Sequence, residues 1–210
     1  GNDVFKSNTA GQQNVAVGEG AMGSSTGSPL MNVAVGNSAL SNCAGSGGSS
    51  EAAWNVAVGN TAGASLTTGT HNSFLGYTAG NALTTDSTGN VGIGYAALSA
   101  GSAAVDGVVA AGAFALRDNT ADRNTAIGYY AGRTNTTGDD NTFVGNVAGY
   151  SNETGTDNTF VGDQTGYYNT GNNNTAVGAQ ANIGVGAAAY TNTTALGYYA
   201  TPTASNQVVL

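Results

Sequence analysis

The chain has 210 residues, 34 of them Gly, and charged residues make up only 8% of it, against roughly 25% in an ordinary globular domain. Four Lys and Arg against 12 Asp and Glu leave a net charge of −8, which excludes the basic footprint that a nucleic-acid binder needs to neutralise phosphates. No apolar run approaches the roughly 18 residues that span a bilayer, and the single cysteine, Cys43, excludes an intrachain disulfide framework and a Cys-based zinc site.

Glycine lacks the three-residue period of collagen. Only 2 Pro and a recurring apolar pattern argue against disorder. No charged-then-apolar cleavage pattern opens the chain, so any signal or anchoring segment is expected to lie outside these residues.

In chain order a five-residue motif recurs: Asn14-Val-Ala-Val-Gly18, Asn32-Val-Ala-Val-Gly36, Asn55-Val-Ala-Val-Gly59, Asn72-Ser-Phe-Leu-Gly76 and Asn90-Val-Gly-Ile-Gly94. It continues as Asn124-Thr-Ala-Ile-Gly128, Asn141-Thr-Phe-Val-Gly145, Asn158-Thr-Phe-Val-Gly162, Asn174-Thr-Ala-Val-Gly178 and Asn182-Ile-Gly-Val-Gly186. Degenerate copies end at Gly112 and Gly197, and a partial copy, Asn206-Gln-Val-Val-Leu210, closes the sequence. The motif glycines stand 18, 23, 17, 18, 18, 16, 17, 17, 16, 8 and 11 residues apart. Three residues beyond each glycine stands an Ala in eleven of twelve copies, with Thr165 the exception. Thr-Gly pairs such as Thr137-Gly138 and Thr154-Gly155 mark the turn before the next Asn.

A period near 17 is too short for helical-pair repeats. The short β-branched runs bounded by Gly and Asn are strand chemistry. One unit cannot bury a face alone, so units must stack, at about 4.8 Å per rung. The expected fold is all-β: a parallel β-roll or β-solenoid of about twelve short rungs, a rod of roughly 55–60 Å. It reads as a single repeat domain over 1–210, with rungs at about 6–116 and 124–197. Insertions are expected near 41–54 and 117–123, with 198–210 a C-terminal exit segment.

Side chains alternate along a strand. The aliphatic fourth motif position is expected to face the coil interior, with the second pointing the same way. The third position holds Ala16, Ala34, Ala57, Phe74, Ala126, Phe143, Phe160 and Ala176 and is never charged. A uniformly apolar exposed face implies a partner, so these residues are expected at a subunit interface. A thin coil rich in Ala and Gly balances burial against ordering entropy poorly, which also argues for oligomerisation.

The Asn-Thr-Ala-Ile-Gly-type rungs with their trailing Ala-Gly resemble the head repeats of trimeric autotransporter adhesins (YadA-like heads). The longer period, the Thr-Asn-Thr-Thr-Gly-Asp-Asp-Asn turn at 134–141 and the ending Thr203-Ala-Ser-Asn-Gln-Val-Val-Leu210 are more similar to repeat regions of phage tail fibres. The resemblance covers about residues 6–210. It implies a homotrimer with inner strands near the three-fold axis, displayed on a virion or bacterial surface. In such fibres a segment like this ending leads into an intramolecular chaperone that is cleaved after assembly.

Candidate chemistry is sparse. His71 has no visible converging partners and reads as an exposed turn residue. Asp139, Asp140 and Asp157 lack the spacing of a known Ca²⁺ loop, and Asx residues favour turns for their own reasons. The recurrent motif Asn favours a side-chain amide ladder between rungs. No metal or cofactor is expected. Trp54, at the end of the 23-residue step, is a candidate for stacking on a sugar. Arg117, Asp118, Asp122 and Arg123 form the densest charge cluster and the other candidate receptor contact. Tyr77, Tyr95, Tyr129, Tyr130, Tyr198 and Tyr199 follow motif glycines and read first as rung-to-rung packing.

The expected function is that of a structural and receptor-binding fibre segment attaching to a cell-surface glycan or protein, with weak sites multiplied by valency. No enzymatic activity, nucleic-acid binding or membrane insertion is expected. A bacterial adhesin head is the alternative. A tailspike-like depolymerase would need a carboxylate pair from Asp118/Asp122, Asp139/Asp140 or Asp157/Asp163. An ice-binding solenoid would use the Thr of the second position.

Overall fold

The computed structural model describes residues 2–7, 10–44, 52–101, 103–183 and 189–210. The Gly/Ser run of the expected 41–54 insertion and most of the motif copy ending at Gly186 lie outside the described residues. The chain divides into two compact units, Gly1–Val108 and Val109–Leu210. Both are all-β, and both are coils of the solenoid type. No helix long and apolar enough to cross a membrane occurs among the described residues.

The first unit carries β1 (Val15–Val17), β2 (Val33–Val35), β3 (Val56–Val58), β4 (Ser73–Leu75) and β5 (Val91–Ile93). Each pairs with the next in parallel and in register. The second unit carries β6 (Val109–Ala111), β7 (Thr125–Ile127), β8 (Thr142–Val144), β9 (Thr159–Val161), β10 (Thr175–Val177), β11 (Thr194–Leu196) and β12 (Val208–Val209), again paired parallel in chain order. Strand β12 lies within the expected exit segment 198–210, so the partial copy there is a rung.

The motif explains itself residue by residue. The fifth-position glycines have φ between 116° and 143°, a region essentially closed to other residues. A Cβ on Gly59 would also strike the backbone of Gly76, and one on Gly145 the backbone of Gly162. Only glycine lets successive rungs approach this closely. Each strand then turns at once, with the amide of Ala148 donating to Gly145 O and that of Ala131 to Gly128 O. The Ala three residues beyond the glycine is buried at 0% exposure in nearly every rung, so the position takes a small side chain, Thr165 being the one larger residue there.

The motif asparagines form the expected ladder. In the first unit Asn32, Asn55, Asn72 and Asn90 each donate a backbone N–H to Oδ1 of the preceding motif Asn, at 2.9–3.0 Å. In the second unit Asn141, Asn158 and Asn174 do the same. Each side-chain amide also caps a backbone carbonyl of the following turn, as Asn141 Nδ2 does to Gly155 O at 2.8 Å. The buried amides of this column are thus satisfied from rung to rung.

The alternation runs opposite to the sequence expectation. Ala34, Ala57, Phe74, Ala126, Phe143, Phe160 and Ala176 are buried inside their own chain, and Ala16 at the first rung is half-buried. These third-position residues are therefore core and not a subunit interface. Position one is the buried Asn, and a two-residue period places position three beside it. The second and fourth positions point outward: Val17 is 58% and Leu75 52% exposed.

The core volume is adjusted rung by rung. Where a large residue follows the trailing Ala, as Met22, Leu40, Leu98 and Leu116 do, the third position of the same rung is Ala or Gly. The Phe rings instead lie over glycines: Phe74 against Gly63 and Gly80, Phe143 against Gly132 and Gly149, Phe160 against Gly166. Large and small side chains thereby trade places at nearly constant packing.

One further inward column differs between the units. Four residues beyond the trailing Ala stand Ser25, Cys43, Leu66 and Leu83 in the first unit, and Asn119, Asn135, Asn152 and Asn169 in the second; all are 0% exposed. The four asparagines form a second ladder, Asn135 Nδ2 donating to Asn119 Oδ1 at 2.8 Å and Asn152 Nδ2 to Asn135 Oδ1 at 2.9 Å. Cys43 is accordingly a packing residue, and burial pushes its thiol pKa up to about 12. At pH 8 only about one thiol in ten thousand is then ionised. Native chain at pH 8 is expected to resist a thiol-reactive chromogen that modifies the unfolded chain completely. Rapid modification of the native chain would contradict this placement.

Candidate binding surfaces

Three surfaces stand out from the coil. The first is the outer face of each parallel sheet. In the first unit it presents Val15 and Val17, Val33 and Val35, Val56 and Val58, then Ser73 and Leu75, then Val91 and Ile93, in register. In the second it pairs Thr125 with Ile127, Thr142 with Val144, Thr159 with Val161, Thr175 with Val177 and Thr194 with Leu196. No residue on either face is charged, although the chain carries a net charge of −8.

The second surface is the residue two positions before each strand. Gln13, Met31, Trp54, His71, Arg123, Asp140, Asp157, Asn173, Asn192 and Asn206 all sit there with φ between 53° and 60°. Trp54 is therefore a regular member of this column. Its ring is half exposed and stacks on His71 at 4.9 Å and 20°, and its indole N–H points to Met31 Sδ at 3.1 Å. In the second unit Arg123 donates to both carboxylate oxygens of Asp140, at 2.7 and 2.9 Å. That hydrogen bonding raises the Arg123 pKa and holds the Asp140 carboxyl below its usual range. Both remain charged through the neutral range.

The expected insertion at 117–123 is part of a regular rung. Arg117 and Asp118 occupy the places that Arg133 and Thr134 take one rung later, and they pair with each other at 2.8 and 2.9 Å. Asp122 lies 3.7 Å from Arg123. The cluster thus separates into two columns and does not converge on one point. The candidate carboxylate pairs are likewise engaged by protein donors: Asp139 accepts the Asp122 amide at 3.0 Å, and Asp163 accepts from Asn146 and Gln164. Among the described residues no group of three or more His, Cys, Asp or Glu is placed to hold a metal ion.

The third surface is aromatic. Tyr77 stacks on Tyr95 at 5.3 Å in the first unit. In the second, Phe114 stacks on Tyr130 at 4.9 Å and Tyr150 on Tyr167 at 5.0 Å. Arg133 lies over the Tyr130 and Tyr150 rings and donates to the Tyr150 hydroxyl. Tyr150 and Tyr167 stand two residues beyond the trailing Ala148 and Thr165, one rung apart; that shared offset is the sequence signal for this stack. No family model, curated protein or solved structure matches the chain.

Proposed function

We propose that this chain is the self-associating segment of a homotrimeric surface fibre, similar to a phage tail fibre, that attaches to a host cell from outside. The observation that carries the reading is the uncharged outer sheet face, which holds only aliphatic residues, Thr and a single Ser, Ser73, among the described rungs. Contiguous exposed apolar surface on this scale marks an interaction site. The occupant is a second and third copy of the same face. Every chain presents the same flat stripe, and its rungs carry no charge to repel an identical neighbour. Trimerisation also supplies the burial that a thin coil lacks. A bacterial adhesin head would use the same assembly.

Light scattering on the 210-residue chain is expected to give three times 20.5 kDa. The double variant Ile127→Asp, Val144→Asp places charge on outward-facing side chains and is expected to yield folded monomers. A monomeric parent chain, or a trimer indifferent to both charges, would overturn the reading.

A second reading draws on the same face. Thr125, Thr142, Thr159, Thr175 and Thr194 stand in register on consecutive outward positions, a regular hydroxyl array suited to a crystal lattice such as ice. A face covered by other chains cannot meet ice, so the two readings exclude each other. Zero thermal hysteresis removes the second.

A further inference from the structure

On the turns that follow β9, β10 and β11 lies a cavity of about 470 Å³, lined by Gln164, Tyr167, Tyr168, Gln180, Asn182 and Tyr199. Its volume falls in the range of about 300–1,000 Å³ usual for small-molecule sites. Here the repeat departs from its own pattern. Thr165 replaces the trailing Ala found in the other copies. Two residues beyond the motif glycine, earlier rungs carry Ser38, Thr61, Thr78, Ala96, Phe114, Tyr130 and Val147; only here do two glutamines follow in succession. Asn182 takes the place held in all the preceding copies by Gly, Met or Leu. Thr165 uses its hydroxyl within the coil, donating to Gly178 O of the next rung at 2.7 Å, whereas the Gln180 and Asn182 side chains line the cavity.

Two lining side chains are incompletely satisfied. Gln180 Oε1 and Asn182 Oδ1 are buried and have no hydrogen-bond partner. A buried acceptor left unpaired is costly. Both side chains line the cavity, where a ligand hydroxyl can supply the missing donor. The aromatic walls are supported from behind. Tyr167 stacks on Tyr150 at 5.0 Å and meets Tyr168 edge-on at 4.5 Å. Tyr168 and Tyr199 leave 52% and 59% of their surfaces open. The lining contains no Asp, Glu, Lys, Arg or His.

The geometry points to a binding site for a neutral hexopyranose unit, its C–H face against the Tyr168 and Tyr199 rings and its hydroxyls on the Gln180 and Asn182 amides. Flat amphipathic rings suit a ligand that is apolar on one face and hydroxylated at its edge. The uncharged lining and the net charge of −8 disfavour acidic sugars. The absence of a lining carboxylate pair makes this a site for binding and not for cleavage. The inference deepens the attachment reading and rests on it only for the source of the sugar, a cell-surface polysaccharide. None of the lining residues belongs to the outer sheet face, so covering that face uses none of them.

The test is saturation-transfer NMR on the full 210-residue chain. The probes are the methyl glycosides of glucose, galactose, mannose and N-acetylglucosamine, with N-acetylneuraminic acid as the charged control, each at about 10 mM, above the weak-binding range. At least one neutral glycoside is expected to bind. Tyr168→Ala and Gln180→Leu are each expected to weaken it by about tenfold, and Tyr77→Ala, an exposed ring of the first unit, to leave it unchanged. Far-UV circular dichroism checks the fold of each variant; Tyr168→Ala removes a surface ring and decides the matter if Gln180→Leu misfolds. A bound glycoside that competes with a surface polysaccharide identifies the polymer as the source, whereas one that does not identifies a free sugar. Silence from all four glycosides, binding indifferent to Tyr168→Ala, or equal binding of N-acetylneuraminic acid overturns the site. Light scattering on the same sample separates the two readings: a trimer without sugar binding sinks only the pocket, and a monomer that binds sugar sinks only the trimer.

Discussion

Gly145→Ala is expected to destabilise the second unit by about 4 kcal/mol, near the upper end for a single substitution. Two costs combine. At φ +140° an L side chain is strained wherever it points. The new Cβ would also stand 2.6 Å from the Gly162 carbonyl carbon, closer still to its oxygen, and 3.2 Å from the Asp163 nitrogen. Those atoms are backbone of the next rung and cannot rotate away. Relief requires the rungs to separate, which stretches the bond from the Gly162 amide to Val144 O, now 2.8 Å. Gly89→Ala is the matched control. Its φ is +70°, and nothing lies within 4 Å of the Cβ it would gain, so it is expected to cost about 1 kcal/mol. Because rungs contact only their neighbours, amide hydrogen exchange is the apt readout. Protection is expected to fall along β8 and β9 in Gly145→Ala while β2 and β3 keep theirs. Equal costs for the two variants would show that rung spacing does not impose the glycine.

Much of this architecture is legible in the sequence because the repeat constrains it from three sides. The period fixes the rung, the β-branched runs fix the strand, and the recurrent Asn fixes the ladder. The facing of the strand is legible too, but by a different residue from the one that first draws the eye. Val17, Val35 and Val58 look like core because they are aliphatic, and Ala16, Ala34 and Ala57 look like contact surface because they are small. An Asn that hydrogen-bonds from rung to rung must lie inside, however, and alternation then carries position three inside with it. The Gly80 and Gly149 positions give the same answer: a glycine six residues after Phe74 or Phe143 is the space its ring fills.

The surfaces are harder to read, because spacing irregularities have more than one cause. The step of 23 residues before Trp54 reads as an insertion with Trp54 at its end, yet Trp54 stacks on His71 as any two members of that column would. The cluster 117–123 reads as a loop because its charges are dense, yet Asn119 belongs to a buried ladder with Asn135. That ladder is visible in the sequence as Asn four residues beyond the trailing position of four successive rungs, Ala115, Ala131, Ala148 and Thr165. The pocket between Tyr168 and Tyr199 is marked in the sequence only by departures from the repeat, such as Thr165 and the successive glutamines Gln164 and Gln180. It arises where successive rungs differ, and only coordinates bring Gln180, Asn182 and those rings together.

Asn141 separates the shape of the ladder from its hydrogen bonding. Its Oδ1 accepts from Asn158 N at 3.0 Å and Asn158 Nδ2 at 3.1 Å. Its Nδ2 donates to Asn124 Oδ1 at 3.1 Å and Gly155 O at 2.8 Å. Asn141→Ala removes these four and a longer one from Nδ2 to Asn135 Oδ1 at 3.5 Å, but most of the partners have other company: Asn158 Nδ2 still reaches Gly171 O, and Gly155 O and Asn135 Oδ1 still accept from Asn152. The Asn158 backbone N–H alone is orphaned, beside a small cavity, so the expected loss is about 3 kcal/mol. Asn141→Asp keeps the acceptor and the shape but sets an oxygen against Gly155 O and Asn124 Oδ1. Ionised, it is a buried charge facing two acceptors; protonated, it donates to one of them. Its folded pKa is therefore raised above the unfolded value of about 3.9. The folded form binds the extra proton, so stability is retained below that value and lost as pH rises toward the folded pKa. In urea titrations each referred to the parent chain at the same pH, Asn141→Asp is expected to cost less than Asn141→Ala at pH 4 and more at pH 7. A cost for Asn141→Asp that is the same at both pH values would mean that the ladder tolerates an acceptor where the structure has a donor, and that shape rather than hydrogen bonding selects asparagine at each rung.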